Sequence, residues 1–241
     1  AGPLRPPISR LMAKILLLVA ALAAFGYLQF RLSIARLRTE LERKATPLDD
    51  PELEAEIARL GALVDIPGLR AQLFEMPVIN GLATPDGRIL LTTALHQKHR
   101  MGLISTGEVL SVVAHELGHV ALGHHQRRMI DWTGQNAARM ALGLILNRFI
   151  PIIGFYIADA LATLAMARLS RRDEFEADRY ASALMIKAGW GVAPQIALFE
   201  KLARMVPGPK GAAWLASHPP TEERVAAIEA NAAAWDAPAA A

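Results

Sequence analysis

Val113-Ala114-His115-Glu116-Leu117-Gly118-His119-Val120 lies in an apolar run without proline and reads H-E-x-x-H. Four positions separate His115 from His119, a little over one helical turn, so both imidazoles leave one helix face. Two nitrogen donors on a rigid face can hold Zn²⁺, and Glu116 beside them can take a proton from a metal-bound water. Five letters can also match by chance on an amphipathic core helix, so the rest of the chain has to supply what a metal site needs.

Composition narrows the field first. The 241 residues suffice for one ordinary domain with appendages. Hydrophobic residues make up 53% and the mean hydropathy is +0.25, high for a freely soluble protein and suggestive of membrane contact. The net charge is +3, and the basic residues scatter without interleaved aromatics, which argues against a nucleic-acid partner. Cysteine is absent, which removes disulfides, thiolate metal sites and cysteine nucleophiles together. Any metal must be held by histidines and carboxylates.

Upstream of the motif, residues 1–10 are proline-rich and read as a tail. Leu11 to Phe30 carries Lys14 as its only charge and has the length of a membrane-spanning helix. A cleaved leader ending near Ala21-Leu22-Ala23 competes, but apolar character continues past it through Phe25, Tyr27, Leu28 and Phe30 and favours a retained anchor. Arg31, Arg36, Arg38, Arg43 and Lys44 follow the span closely, which leans towards a cytoplasmic catalytic domain. Residues 31–50 read as a juxtamembrane helix and linker, with Thr46-Pro47 ending the helix. Asp50-Pro51-Glu52 supplies an N-cap, a first-turn proline and an early acid for a helix whose apolar face is Leu53, Ile57, Leu60 and Val64. Extended segments are expected at Ala71 to Phe74 and Arg88 to Thr93, with Pro85-Asp86-Gly87 as the turn, in a small antiparallel sheet whose edge could take an extended peptide.

The motif helix is expected over Gly107 to Arg128, with His124 and His125 exposed near its end. His96 and His99 read as surface residues. Met140 to Ala167 is a second hydrophobic stretch, interrupted by Asn147-Arg148, Pro151 and Asp159. A single crossing there would put later residues across the bilayer from the motif, and two crossings need more length. It reads as a buried or membrane-surface helical pair. Another helix runs to Lys187, one follows from Pro194 to Met205, and Thr221 with Glu222 and Glu223 opens a last one. Residues 231–241 read as a tail, so the folded domain spans 51–230.

Catalytic zinc needs a third protein ligand and one open position. His124, His125, Glu174, Glu176 and His218 are candidates. His125 falls where a third histidine sits in one extended H-E-x-x-H pattern, but Leu122 occupies that pattern's glycine position. Glu174 and Asp178, at i,i+4, share a helix face, so one can bind metal while the other orients a ligand imidazole. Glu176 points away, towards solvent or an arginine. The competing reading is a salt-bridged surface helix, since Arg171, Arg172 and Arg179 lie nearby.

His115-Glu116-Leu117-Gly118-His119, then Ser170-Arg171 and Glu174-Phe175-Glu176-Ala177-Asp178, together resemble the HtpX and CAAX prenyl protease family of membrane-associated zinc metalloendopeptidases. Ser217-His218-Pro219 with Arg224 is similar to a late His-Pro…Arg element of that family, and Asn80-Gly81-Leu82-Ala83 to a strand before its zinc helix. The resemblance implies an α+β, predominantly helical gluzincin domain with one Zn²⁺ per chain, hydrolysing peptide bonds of protein substrates near a membrane. It implies His115, His119 and Glu174 as ligands, Asp178 behind them and Glu116 as base. His218 with Arg224 would stabilise the oxyanion, or His218 would close the site as a fourth ligand. The alternatives are a zinc-containing binding or chaperone-like module without turnover, and a latent peptidase held closed by His218 or by residues 140–167.

Overall fold

The computed structural model describes scattered residues between 13 and 44, then residues 45–84, 88–151, 153–205 and 222–236. Two units divide the chain, Ala1–Lys44 and Ala45–Ala241. In the first, the described residues are helical. Half of the residues of the expected anchor at 11–30 lie outside the described residues.

The second unit opens with β1 (Ala45–Pro47), where the sequence suggested the end of a helix. Three residues have little intrinsic preference, and β1 exists because it pairs antiparallel with β2 (Ala71–Phe74). Between them, α1 (Pro51–Leu63) starts as its sequence dictates: the Asp50 side chain accepts from the Leu53 backbone N–H, and Pro51 fills the first turn. Leu53, Ile57 and Leu60 are buried from this helix. His96 and His99 are only partly exposed and gather around the capping Asp50, with His96 Nε2 at 3.3 Å from its carboxylate, which corrects their reading as surface residues.

The sheet is completed by β3 (Gly81–Ala83) and β4 (Ile89–Thr92), in the order β1-β2-β4-β3. It is mixed, not antiparallel as expected: β2 and β4 run parallel, Ala71 facing Ile89 and Phe74 facing Thr92. The expected turn residues 85–87 lie outside the described residues, but the two segments they were to join are parallel neighbours. β3 lies at the sheet edge, antiparallel to β4. All four β4 residues are buried, as suits a strand covered on both faces.

Helix α2 (Thr93–Arg100) leads to α3 (Thr106–Ala121), the motif helix. Ser105 caps α3 with Glu108 in a reciprocal capping box, and thirteen residues from Gly107 to His119 are buried. The helix stops at Ala121 rather than running to Arg128, because Gly123 adopts φ 65° and turns the chain. Two long helices follow, α4 (His124–Phe149) and α5 (Ile153–Lys187), packed as a hairpin. The C-terminal half of α5 packs on α3, with Ala177 and Ala181 buried between them, while α6 (Ala193–Met205) and α7 (Glu222–Asp236) cover the other side. The last helix continues to Asp236, into the stretch read as tail.

The 140–167 stretch is a helical pair, as expected, but it is not buried. Met140, Leu144, Ile145, Phe149, Ile153 and Tyr156 are exposed, Phe149 to 75%. Among the described residues, α5 alone is long and apolar enough to cross a membrane by length and composition. Gly118 fixes how closely α5 approaches the motif: a Cβ there would stand 3.1 Å from the Ala177 Cα and carbonyl oxygen.

Candidate metal centre

Helix α3 presents His115 and His119 from one face, and α5 presents Glu174 and Asp178 one turn apart on the face that meets it. All four are at least 97% buried. Nε2 of His115 and Nε2 of His119 lie 3.1 Å apart. Glu174 Oε2 is 3.4 Å from the first and Oε1 is 3.6 Å from the second. Three donors bound tetrahedrally at about 2.0–2.1 Å would lie about 3.3 Å apart. The observed triangle fits that spacing, so His115, His119 and Glu174 could hold Zn²⁺.

The atoms behind this triangle orient it. Asp178 Oδ1 lies 3.0 Å from His115 Nδ1, which places the His115 proton there and leaves Nε2 for a metal. Arg224, 2% exposed, reaches Asp178 with Nε at 2.6 Å and Nη2 at 2.8 Å, and Glu174 with Nη1 at 3.4 Å. Its guanidinium also lies over the Phe199 ring, 4.9 Å from the centroid. Gln195 and Ser182 complete the setting: Ser182 donates to Gln195 Oε1 at 2.9 Å, and Gln195 Nε2 donates to Asp178 Oδ1 at 3.4 Å. Burial alone would raise Asp178, but hydrogen bonds from Arg224 and His115 hold it below the ordinary carboxylate value. Burial pulls His115 down, and its hydrogen bonds to Asp178 and Glu174 outweigh that and push it up to about 9. The pocket therefore carries an excess of negative charge that favours a cation.

Glu116 is anchored from the sheet. The Ala83 N–H of β3 donates to Glu116 Oε2 at 2.8 Å, so the edge strand and the motif helix meet at this carboxylate. The family resemblance implied Arg224, with His218, at the oxyanion; the structure shows its guanidinium on Asp178 and Glu174. His218 lies outside the described residues.

One residue, His124, behaves differently from its reading, and Glu176 beside it follows its own. His124, expected to be exposed, is 1% exposed, with Nδ1 2.7 Å from Nδ1 of His119. Its Nε2 lies 3.2 Å from Glu176 Oε2 and 3.9 Å from Asp173 Oδ1. Burial holds His124 below its ordinary value, against the pull of Asp173 and Glu176. Glu176 does meet arginines: a hydrogen bond from Arg127, then burial opposing it, then bonds from Arg172 and His124 leave it down at about 2. Gly123 directly before His124 is the one sequence cue for this turn. Asp173 had no cue beyond its charge.

Residues 47–232 match the family described as Peptidase family M48. The chain belongs to peptidase family M48. It is 31% identical to the metalloprotease LoiP of Escherichia coli over 146 residues, covering 61% of this chain and 56% of that one. Against the metalloprotease YcaL of E. coli it is 29% identical over 171 residues, covering 70% and 65%. With protease HtpX of Shewanella halifaxensis it shares 27% over 259 residues, covering 90% and 88%. The chain thus spans somewhat over half the length of the two E. coli relatives. The resemblance carried by the motifs is a family relationship, and the M48 match takes in the motif helix, Glu174, Asp178 and Arg224 alike.

Proposed function

We propose that this M48 chain is a zinc metalloendopeptidase in which His115, His119 and Glu174 hold one Zn²⁺ and Glu116 is the catalytic base. The observation that carries the reading is the buried triangle of two Nε2 atoms and a carboxylate at 3.1–3.6 Å, with Glu116 one residue from the first ligand. Zn²⁺ in this triangle supplies Lewis acidity, acidifying water and polarising a substrate carbonyl. Glu116 takes the proton of the attacking water as that water's oxygen joins the carbonyl carbon, then delivers it to the amide nitrogen as the C–N bond breaks. The Ala83 N–H steadies that carboxylate for both transfers. Asp178 keeps the His115 proton on Nδ1, and Arg224 keeps Asp178 ionised in a buried setting while also reaching Glu174 at 3.4 Å.

The substrate is an extended polypeptide laid along β3, the edge strand of the sheet, which packs against α3. His218 serves the oxyanion. Residues 11–30 anchor the chain with the peptidase unit on the cytoplasmic side, and the exposed apolar α4–α5 hairpin keeps that unit against lipid or membrane-proximal substrate.

Metal content and cleavage of unfolded casein, compared between the chain and Glu116→Gln, test this. The substitution removes the base and no ligand, so both proteins should carry zinc and only the parent should cleave. Zinc in both with cleavage in neither favours a binding module or a closed site. Absence of zinc from both defeats the assignment.

A further inference from the structure

We infer that His124 is a positioning residue for His119, setting that ligand's orientation and tautomer through a chain that runs from His119 to His124 to Glu176. The inference rests on His119 being a metal ligand, as proposed above.

The turn at Gly123 brings the first residue of α4 back onto the site, where the His124 ring meets the His119 ring with centroids 4.8 Å apart and planes at 72°. Two imidazole nitrogens at 2.7 Å need one donor and one acceptor. His119 Nε2 faces His115 Nε2 and Glu174, and as a ligand it needs its lone pair there, so the His119 proton sits on Nδ1. His124 Nδ1 is then the acceptor and His124 carries its proton on Nε2. That nitrogen faces Glu176 Oε2 at 3.2 Å, with Asp173 Oδ1 further off at 3.9 Å. Every proton in the chain is assigned by the one requirement that His119 present a lone pair at Nε2.

The far end of the chain is fixed as well. Arg127 Nη1 donates to Glu176 Oε2 at 2.8 Å, and Arg128 Nε donates to Asp173 Oδ2 at 2.8 Å. His124, Asp173 and Glu176 have donor types that could also hold a second cation. Arg127 Nη1 already donates to both oxygens such an ion would use, Glu176 Oε2 at 2.8 Å and Asp173 Oδ1 at 3.5 Å, and the relay accounts for the close His119 contact while a second cation does not. The two ligand histidines are thus held unequally: His115 donates straight to a carboxylate, His119 to a neutral ring backed by one.

Zinc affinity by chelator competition, with the visible spectrum of the Co²⁺-substituted protein, should be compared in the full chain, His124→Leu, His124→Asn and His115→Ala. Loss of such an outer partner typically weakens metal binding by about 10- to 100-fold. His124→Leu should lose affinity in that range and alter the Co²⁺ spectrum. His124→Asn, which offers an oxygen acceptor near the Nδ1 position, should recover most of both. Parent-like affinity and spectrum in His124→Leu would overturn the inference. So would an Asn variant as weak as Leu, since packing alone would then explain the loss. A parent without zinc, or a His115→Ala variant that binds like the parent, would instead defeat the site reading on which this rests.

Discussion

Replacing Arg224 with Met should destabilise the metal-free protein by roughly 3–5 kcal/mol, the usual cost of removing one partner from a buried ion pair. The structure sets the scale. Arg224 is 2% exposed and its guanidinium touches Asp178 at 2.6 and 2.8 Å and Glu174 at 3.4 Å. Charge centres about 4 Å apart interact by about 4 kcal/mol at an effective dielectric constant of about 20. Met keeps most of the side-chain volume over Phe199, so the loss reports charge rather than a cavity. Urea unfolding of the chelated proteins is the assay: with m of about 2–3 kcal/mol per M, the midpoint should fall by about 1–2.5 M. Asp178→Asn leaves an acceptor for His115 and removes the stranded charge, so the double variant should be more stable than the sum of single losses by about 1–3 kcal/mol. Recovery stays incomplete because Glu174 also loses its contact. A single-variant midpoint within about 0.3 M of the parent, or a coupling near zero, would refute the view that Arg224 holds Asp178 ionised.

Gly118→Ala places a methyl 3.1 Å from the Ala177 backbone, where α5 itself must give. Overpacking of about 1–3 kcal/mol is offset by about 1 kcal/mol of helix preference, so chelated stability should fall by no more than about 2 kcal/mol. Zinc affinity should fall clearly, because α5 carries Glu174; chelator competition showing unchanged affinity would count against the close helix contact as what sets the ligand spacing. For Glu176, a folded value of about 2 against the ordinary 4.5 means its stabilisation is complete above pH 4.5 and lost as pH falls towards 2. Glu176→Gln should therefore be less stable than the parent at neutral pH, with the gap closing between pH 4.5 and 2 in unfolding measured across that range; a gap constant with pH would contradict the assignment.

Local chemistry was legible in the sequence, and long-range pairing was not. The cap at Asp50, the strand at Ala71–Phe74, the motif helix and the i,i+4 pair Glu174 and Asp178 all follow from periodicity and residue type. Strand direction in β2 and β4 depends on how the chain crosses over between them, which alternation cannot reveal. β1 is held by its partner and carries no strong preference of its own. His124 was misplaced because an apolar helix with a glycine near its end admits both continuation and a turn, and only the turn buries the ring. Arg127 and Arg128 suit a helix C-terminus by type, yet they sit at the start of α4 and serve Asp173 and Glu176 on α5, more than 40 residues away. Arg224 was found by its place in a motif, but its work is decided by a carboxylate 46 residues earlier.

Charge explains why these pieces belong together. Glu116, Glu174 and Asp178 bring three carboxylates into one buried pocket, and Arg224 is the one guanidinium among the described residues buried with them. Arg128 reaches Glu174 at 3.3 Å, but with a side chain 35% exposed it works through solvent-screened charge. Two negative charges are left over in a region where an uncompensated one is costly. In the metal-free protein a proton on His115, pushed up to about 9, relieves part of that excess. A dication relieves it fully, and it does so where the two Nε2 atoms and Glu174 already converge. Asp178 and Arg224 then contribute no net charge and act as a rigid backing for His115, while the guanidinium-bound Glu176 backs His119 through His124. The same two helices, α3 and α5, thus supply ligands to the front and fixed hydrogen-bond partners behind, and Gly118 lets them come close enough to do both.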